Sequence, residues 1–490
     1  MSIVIEPDNM ALVLRHNSRI NPRQNGLNLD LEPCPTVTAG GLSAFGSYWL
    51  EDIMPDDYVP DPSKPPFAVP SMAEIAALPW NGFTAASTFS GCGGSSLGYR
   101  MAGFRVLYAN EFIPAARETY RANAAPYTHL DDRDIRTVTA QSVLDLIGLE
   151  AGELDLLDGS PPCASFSTAG KREKGWGEVK KYSDSEQRSD DLFFEFARLV
   201  DGIQPKVFVA ENVSGLVKGS AKGYFLEILA ALKACGYRVS ARLLDAQWLG
   251  VPQARQRLIF VGVRNDLQID PVHPTPLPYR YSIRDALPWI TRVDHDTSGL
   301  WSTGNVTDRP APTITVGVNS VNANHFKVIG AGANGPFGEE KWQTLDEPAR
   351  TIGAQPVTGN GMAGAGDLLL QVIEPEADIS RFAIGEQWDK IGPGGQSDKY
   401  FQLVRPDADG PSPTITAAGG TSSLAAVTHP FQKRKFSIAE LRRICGFPDD
   451  FVLTGSYAQQ WERLGRAVPP VMMSHIAATV RDQILARTKT

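Results

Sequence analysis

The sequence predicts an α/β fold: a parallel sheet with helices on both faces, interrupted late in the chain by a second domain of mostly irregular and β character. Three observations predict it. From Phe83 to Val263 short apolar runs alternate with helical stretches, the pattern of a sheet whose crossovers cover both faces and whose ligands sit at the carboxyl ends of its strands. From about residue 266 to 430 Gly, Pro, Thr and Asn dominate and no long amphipathic helix is visible. Helical periodicity then resumes over Phe436 to Cys445 and over 471–487, so the chain returns to its first domain. The expected division is 1–80 as an N-terminal extension, 81–265 as the first domain, 266–430 as the insert and 431–490 as the return.

The predicted strands are Thr84 to Phe89, Phe104 to Ala109, Leu154 to Leu157, Lys206 to Ala210, Tyr237 to Leu244 and Leu258 to Val263. Helices are expected over Ala115 to Asn123, Ser189 to Asp201 and Tyr224 to Cys235. Residues 1–80 carry Pro-rich, acidic text such as Pro55-Asp56-Asp57 and Pro60-Asp61-Pro62 without sustained periodicity. They read as an extension that wraps or hangs off the body. In the insert, Asp-x-Pro-small-x-Thr-Ile occurs at Asp308 to Ile314, Asp346 to Ile352 and Asp409 to Ile415. Each copy reads as a turn entering a short strand, the proline presetting φ and the Thr-Ile pair favouring extended backbone.

Composition narrows the function. The chain has 490 residues, 42% hydrophobic and 21% charged, and no apolar stretch long enough to cross a bilayer, so several soluble domains and no membrane association are expected. Its five cysteines are odd in number and scattered, which fits a reducing cytoplasm and neither a disulfide framework nor a zinc site. A net charge of -8 argues against nonspecific wrapping of nucleic acid. A local basic cleft remains open, from Lys171 to Arg188 or from Lys433-Arg434-Lys435, each of which otherwise reads as a solvated face.

Chemistry concentrates at strand ends. Gly159-Ser160-Pro161-Pro162-Cys163 closes the run from Leu154 to Leu157. The two prolines stiffen the backbone and remove two amide donors, so Cys163 sits on a rigid turn, suited to a nucleophile. Phe89-Ser90-Gly91-Cys92-Gly93-Gly94 follows the first strand and precedes a short helix, and its glycines permit positive φ and close approach of a ligand. Glu111 ends the next strand, where a carboxylate can accept from both hydroxyls of a ribose, and Asp134, in Asp132-Arg133-Asp134-Ile135 ahead of the run Leu154 to Leu157, could accept from an adenine amine. Glu211 ends Val207 to Ala210; a carboxylate there is either hydrogen-bonded or used for acid chemistry. Gln253-Ala254-Arg255-Gln256-Arg257 enters the last strand, and alternation puts Arg255 and Arg257 on one side, aimed at a common target.

This ordered set resembles the DNA cytosine-5 methyltransferases over about residues 83 to 264 and 434 to 475. The Gly-rich turn, Pro-Pro-Cys, Glu-Asn-Val and Gln-x-Arg-x-Arg stand in family order. The late motifs are echoed in Gly446-Phe447-Pro448-Asp449-Asp450-Phe451 and in Leu464-Gly465-Arg466-Ala467-Val468-Pro469. Four departures stand out: Arg466 where the family usually has Asn beside the cofactor, Ala164 for a frequent Gln, Ser87 for the Asp that often begins the Gly-rich strand, and Ala439 for Arg.

The resemblance implies a Rossmann-like S-adenosylmethionine-dependent domain whose insert reads double-stranded DNA. S-adenosyl-L-methionine would be held by Phe89, Gly91, Gly93, Glu111, Phe112, Asp134, Ile135, Pro162, Leu192 and Val468, and no metal is expected. Cys163 would add to carbon 6 of a flipped-out cytosine, Glu211 would donate to ring nitrogen 3, and Arg255 and Arg257 would grip the carbonyl oxygen and a phosphate. The loop Ser165 to Arg188 would close over the base. The implied setting is the cytoplasm and nucleoid, in a monomer with a cognate restriction endonuclease as partner. The competing readings are an RNA cytosine-5 methyltransferase, against which the large insert speaks, and a catalytically silent regulator, against which the retained Cys163, Glu211 and both arginines speak.

Overall fold

The computed structural model describes residues 64–162, 192–217, 222–288, 290 and 374–488, and the backbone of short strands outside them. Cys163, the loop Ser165 to Arg188 apart from two strand segments, and the Asp308 and Asp346 copies of the repeated turn lie outside the described residues.

A ten-stranded sheet forms the body. In chain order its strands are β1 (Ile3–Ile5), β2 (Leu12–Arg15), β3 (Gly26–Asn28), β4 (Thr84–Thr88), β5 (Arg105–Asn110), β6 (His129–Asp131) and β7 (Leu156–Gly159). A two-stranded hairpin, β8 (Lys180–Tyr182) and β9 (Ser185–Gln187), stands apart. The sheet continues with β10 (Val207–Val213), β11 (Tyr237–Asp245) and β12 (Gln256–Arg264), in the spatial order β3-β2-β1-β11-β12-β10-β7-β4-β5-β6. From β10 to β6 every pairing is parallel.

All six predicted strands are present, but the last two are not parallel to the rest. β12 runs antiparallel to both β10 and β11. The segment between β11 and β12 is too short to carry a crossover helix, so the chain returns as a hairpin. Of the N-terminal extension, β1 to β3 add antiparallel strands to the β11 edge. Residues 64–80 dock against the body: Lys64 pairs with Asp285 at 2.5 Å, and both Asp450 carboxylate oxygens accept from the Met72 amide.

Helices cover the two faces. α1 (Met72–Ala77), α2 (Gly94–Met101), α3 (Pro114–Asn123), α4 (Ala140–Ile147), α5 (Leu192–Ile203) and α6 (Lys222–Ala234) come first. α4, α5 and α6 bury Val143, Leu144, Phe193, Phe196, Phe225 and Ile228 against one face. α7 (Ile283–Ala286), α8 (Ala383–Trp388), α9 (Ile438–Ile444), α10 (Tyr457–Arg466) and α11 (Pro470–Gln483) follow. α11 buries Met472, Met473, Ile476 and Val480 on the opposite face, together with Tyr99 of α2. A separate core gathers Ile283 of α7, Leu441 of α9 and Trp461 of α10. Among the described residues no helix is long and apolar enough to cross a membrane.

Within residues 325–371 the backbone forms a three-stranded antiparallel sheet of β13 (His325–Ile329), β14 (Lys341–Thr344) and β15 (Leu369–Gln371). β16 (Gly395–Gln396) and β17 (Val404–Arg405) form a small hairpin. The third copy of the repeated turn, Asp409 to Ile415, corrects its expectation. The turn forms, but the strand shrinks to a single bridge between Gln253 and Ser412. Pro411 and Pro413 flank Ser412 and remove the amides a ladder would need.

The basic triplet Lys433-Arg434-Lys435 fits neither a DNA-facing cleft nor a solvated face. Arg434 is buried in a bidentate pair with Glu440, both contacts at 2.7 Å. Lys435 is fully buried, donating to the carbonyls of Gly419 and Thr421, and burial pulls its ammonium down to about 7. Only Lys433 remains outside, paired with Asp389.

Helices α2 and α11 touch backbone to backbone, because Gly98 leaves no side chain between them. A Cβ at Gly98 would stand 2.5 Å from the Met473 Cβ and 2.7 Å from the Pro470 carbonyl oxygen, neither of which is a flexible side-chain end. Gly98→Ala should therefore destabilise the fold by about 1–3 kcal/mol through overpacking, read from the urea midpoint. An unchanged midpoint would show that α11 can shift without loss.

Candidate active site

Register brings the chemistry together. Thr88 pairs with both Asn110 and Gly159, and Gly159 pairs with Ala210, so β4, β5 and β7 end on one row, while β10 runs on through Glu211 to Val213 beside β12. The segments just beyond that row are Phe89–Gly94, Glu111–Phe112, Ser160–Pro162 and Glu211–Asn212. Asn212 donates from Nδ2 to the Pro161 carbonyl at 3.2 Å. This bond ties the Glu-Asn-Val segment to the rigid turn that leads to Cys163.

The Gly-rich turn is left-handed at three residues: Phe89 at φ 53°, Gly91 at 56° and Gly93 at 97°. A phenylalanine in that region is strained, and such strain concentrates at functional turns. A Cβ on Gly94 would fall 2.2 Å from the Val468 carbonyl oxygen, so the turn lies directly under the α10–α11 corner. Around Gly91 a Cβ would meet nothing within 4 Å, which leaves open space above the turn.

Glu111 faces that space. One of its oxygens accepts from the Gly91 amide and the other from the Ile113 amide, each at 2.7 Å. Burial raises its carboxyl above the usual range, and the two amides, Arg463 and Arg117 pull back. Each oxygen keeps a lone pair for a further donor, which is what a vicinal diol supplies. Asp134 accepts from the Arg136 amide at 3.0 Å and pairs with its guanidinium at 3.3 Å. Ile135 and Leu192 are buried, Val468 is buried, and Phe89, Phe112 and Pro162 are half-buried beside them. These carboxylate acceptors, with the open space at Gly91, fit a nucleoside cofactor of the S-adenosylmethionine type. Among the described residues no group of three or more His, Cys, Asp or Glu could hold a metal ion.

The two arginines part company. Arg257 pairs with Glu211, Nε to Oε1 at 2.7 Å, across the antiparallel β10–β12 ladder. Arg255 turns away and is 1% exposed. Its guanidinium donates to the carbonyls of Ile415 at 3.1 Å, Gly465 at 2.9 Å and Ala467 at 2.9 Å. Its residue lies just outside β12, where strict alternation no longer governs direction, so the expected common target is not formed. Burial, with the like charge of Arg257, pulls its guanidinium down to about 9, so it stays charged at neutral pH.

Arg466 extends outward and donates to Glu462 at 2.8 Å, its side chain 44% exposed. Sequence reading missed Asn212 as a tether and Asp158 as a buried carboxylate under the turn. The first was signalled by its place after Glu211, the second by an Asp inside an apolar run.

Removing the Arg255 guanidinium would leave three carbonyls without their donor. Arg255→Ala should cost about 2–5 kcal/mol, and Arg255→Lys should recover little, because one ammonium cannot span that fork. Urea unfolding checks both; wild-type stability with lost activity would return Arg255 to the substrate side.

A family model described as C-5 cytosine-specific DNA methylase matches residues 83–482. The Type II methyltransferase M1.HphI of Haemophilus parahaemolyticus is 29% identical over 392 residues, covering 80% of this chain and 85% of the relative. The Type II methyltransferase M.AgeI of Thalassovita gelatinovora is 27% identical over 444 residues, covering 81% and 98%. Among solved structures, a candidate DNA modification methyltransferase encoded within an E. coli prophage shares the fold at a TM-score of 0.53 and 19% identity, covering 82% of this chain and 99% of that one. From the Gly-rich turn to α11 the chain belongs to the C-5 cytosine-specific DNA methylases: it is a DNA cytosine-5 methyltransferase, of a family whose methyl donor is S-adenosylmethionine.

Proposed function

We propose that this enzyme methylates carbon 5 of a flipped-out cytosine in a specific duplex DNA sequence through a covalent adduct with Cys163. The observation that carries this reading is the Glu211–Arg257 pair, set beside the Asn212 tether to the turn that presents Cys163. An acid and a cation held together at a strand end match the needs of a cytosine ring, which must gain a proton at nitrogen 3 and charge balance at its carbonyl oxygen as sulfur adds to carbon 6. On arrival of the base Arg257 turns to the carbonyl oxygen, and Glu211, released from the pair, takes up a proton from solvent, donates it to nitrogen 3 and accepts from the exocyclic amine. Arg255 acts at one remove, by holding the corner over the cofactor turn.

S-adenosylmethionine, when bound, supplies an electrophilic methyl group on a sulfonium. Glu111 would hold its ribose and Asp134 its adenine amine. Phe89, Gly91, Gly93, Phe112, Ile135, Pro162, Leu192 and Val468 would line the remainder. Flipping the base costs a few kcal/mol, which contacts from the insert, residues 266–430, would offset while reading the sequence. That several relatives are Type II methyltransferases supports a role beside a cognate restriction endonuclease; we read the enzyme as a monomer.

Tritiated S-adenosylmethionine incubated with duplex DNA or transfer RNA tests the substrate: label is expected in DNA, and label confined to RNA would overturn the reading. Cys163→Ser should abolish transfer while leaving the fold intact, because a hydroxyl is a far weaker nucleophile at neutral pH. A duplex with 5-fluorocytosine at the target should leave a covalent complex on a denaturing gel, since fluorine cannot depart as a proton does. An active enzyme without that adduct would exclude the covalent route.

The cofactor site has its own test. Arg466→Asn should change S-adenosylmethionine affinity by less than about tenfold, because the arginine already points outward to Glu462. Glu111→Ala should cost more by leaving the ribose without its charged acceptor. Calorimetric titration ranks the two; a larger loss for Arg466→Asn would mean that the arginine is part of the pocket.

A further inference from the structure

Asp158 is a carboxylate sealed inside the sheet, 1% exposed on β7 and five residues before Cys163. It stands directly opposite Ser87 in the parallel β4–β7 ladder. Ser87 donates to its Oδ2 at 2.9 Å and the Tyr99 hydroxyl of α2 donates to its Oδ1 at 3.0 Å. Ser95, in the first turn of α2, adds a third hydroxyl, and Ser90 of the Gly-rich turn donates back to the Ser87 carbonyl at 3.1 Å. Among the described residues no ion pair reaches this carboxylate. It therefore joins three pieces: the end of β4, the Gly-rich turn with α2, and the strand that leads to the nucleophile. Position 87 is also where this chain lacks the Asp that often begins the Gly-rich strand of its family.

We infer that Asp158 is a positioning residue for methyl transfer: it supplies from β7 the carboxylate missing at position 87 on β4, and so fixes the cofactor turn against the strand that leads toward Cys163. The inference rests on the reading of that turn as the cofactor site. A carboxylate on either of two facing strands can accept from the same hydroxyls, whereas carboxylates on both would repel, and carboxylates on neither would leave Tyr99 and Ser95 without their acceptor.

A charge-transposition series tests it, with S-adenosylmethionine affinity measured by calorimetry on the full chain. Asp158→Ser and Ser87→Asp should each weaken binding by about tenfold or more, and the double variant should recover to within about threefold of wild type. A double variant no tighter than its weaker parent, or an Asp158→Ser enzyme that binds like wild type, would overturn the inference. Glu111→Ala run alongside separates the two layers. If it binds like wild type, the cofactor placement fails; if it alone weakens binding, the placement stands and the role of Asp158 fails.

Asp158→Asn keeps the series readable should the serine variant not fold. Burial raises the Asp158 carboxyl from 3.8 to about 7, with Ser87 and Tyr99 opposing and Glu211 of β10 adding to the rise; Tyr120 of α3 is the other titratable group that senses it. A raised carboxyl contributes stability that is full below about pH 4 and lost as pH rises through about 7. At pH 8 the charge costs stability, so Asp158→Asn should melt no lower than wild type there, yet bind the cofactor more weakly. A variant with unchanged affinity would mean that the carboxylate is only packing.

Discussion

The site depends on a buried charge committed to backbone carbonyls. Arg255 gathers the carbonyls of Ile415, Gly465 and Ala467, joining the end of α10 to a segment about fifty residues earlier in the chain. A guanidinium in the interior, here with its Nε left without a partner, is unfavourable unless its other nitrogens find acceptors, and three carbonyls left without donors would be unfavourable as well. Each therefore requires the other, and the result is a fixed α10–α11 corner. That corner presses the Val468 carbonyl onto Gly94, which sets the height of the Gly-rich turn and hence the position of the amide that orients Glu111. A segment assigned by sequence to the insert, around Ile415, is thus part of what shapes the cofactor face.

Much of this was legible in the chain. The six strands were readable because each is a short apolar run bounded by turn residues, and the site followed from where those runs end on Glu111, Glu211 and the Pro-Pro turn. The direction of β12 was less accessible, since apolar content does not record orientation; only the length of the segment between β11 and β12 does. Arg255 was misaimed because alternation holds within a strand, and the residue sits one position before β12 begins. The inward turn of Arg434 and Lys435 was hidden for another reason. Their partners, Glu440 six residues on and the carbonyls of Gly419 and Thr421, are set by tertiary contacts that a charge run does not reveal.

Those buried cations also change how the net charge of -8 bears on DNA. Arg255, Arg434 and Lys435 are committed to internal acceptors, so the charge they contribute is not presented to phosphates. Electrostatic attraction to DNA must come from elsewhere in the chain, which favours a local contact surface over a uniformly basic face.

The Glu211–Arg257 pair adds the last constraint. Side chains 11% and 13% exposed and 2.7 Å apart form a resting state in which neither charge waits alone in a poorly hydrated site. A base that enters must replace what it breaks: it has to offer a carbonyl acceptor to the arginine and, beside it, a ring nitrogen and amine that the carboxyl group can engage. Cytosine offers that adjacent set on one edge. A thymine already carries a proton on ring nitrogen 3, so it offers no lone pair there for the acid to protonate as sulfur adds to carbon 6. On the proposed reading, discrimination falls at the step in which nitrogen 3 must accept a proton, and it rests on the same two groups proposed to carry the chemistry.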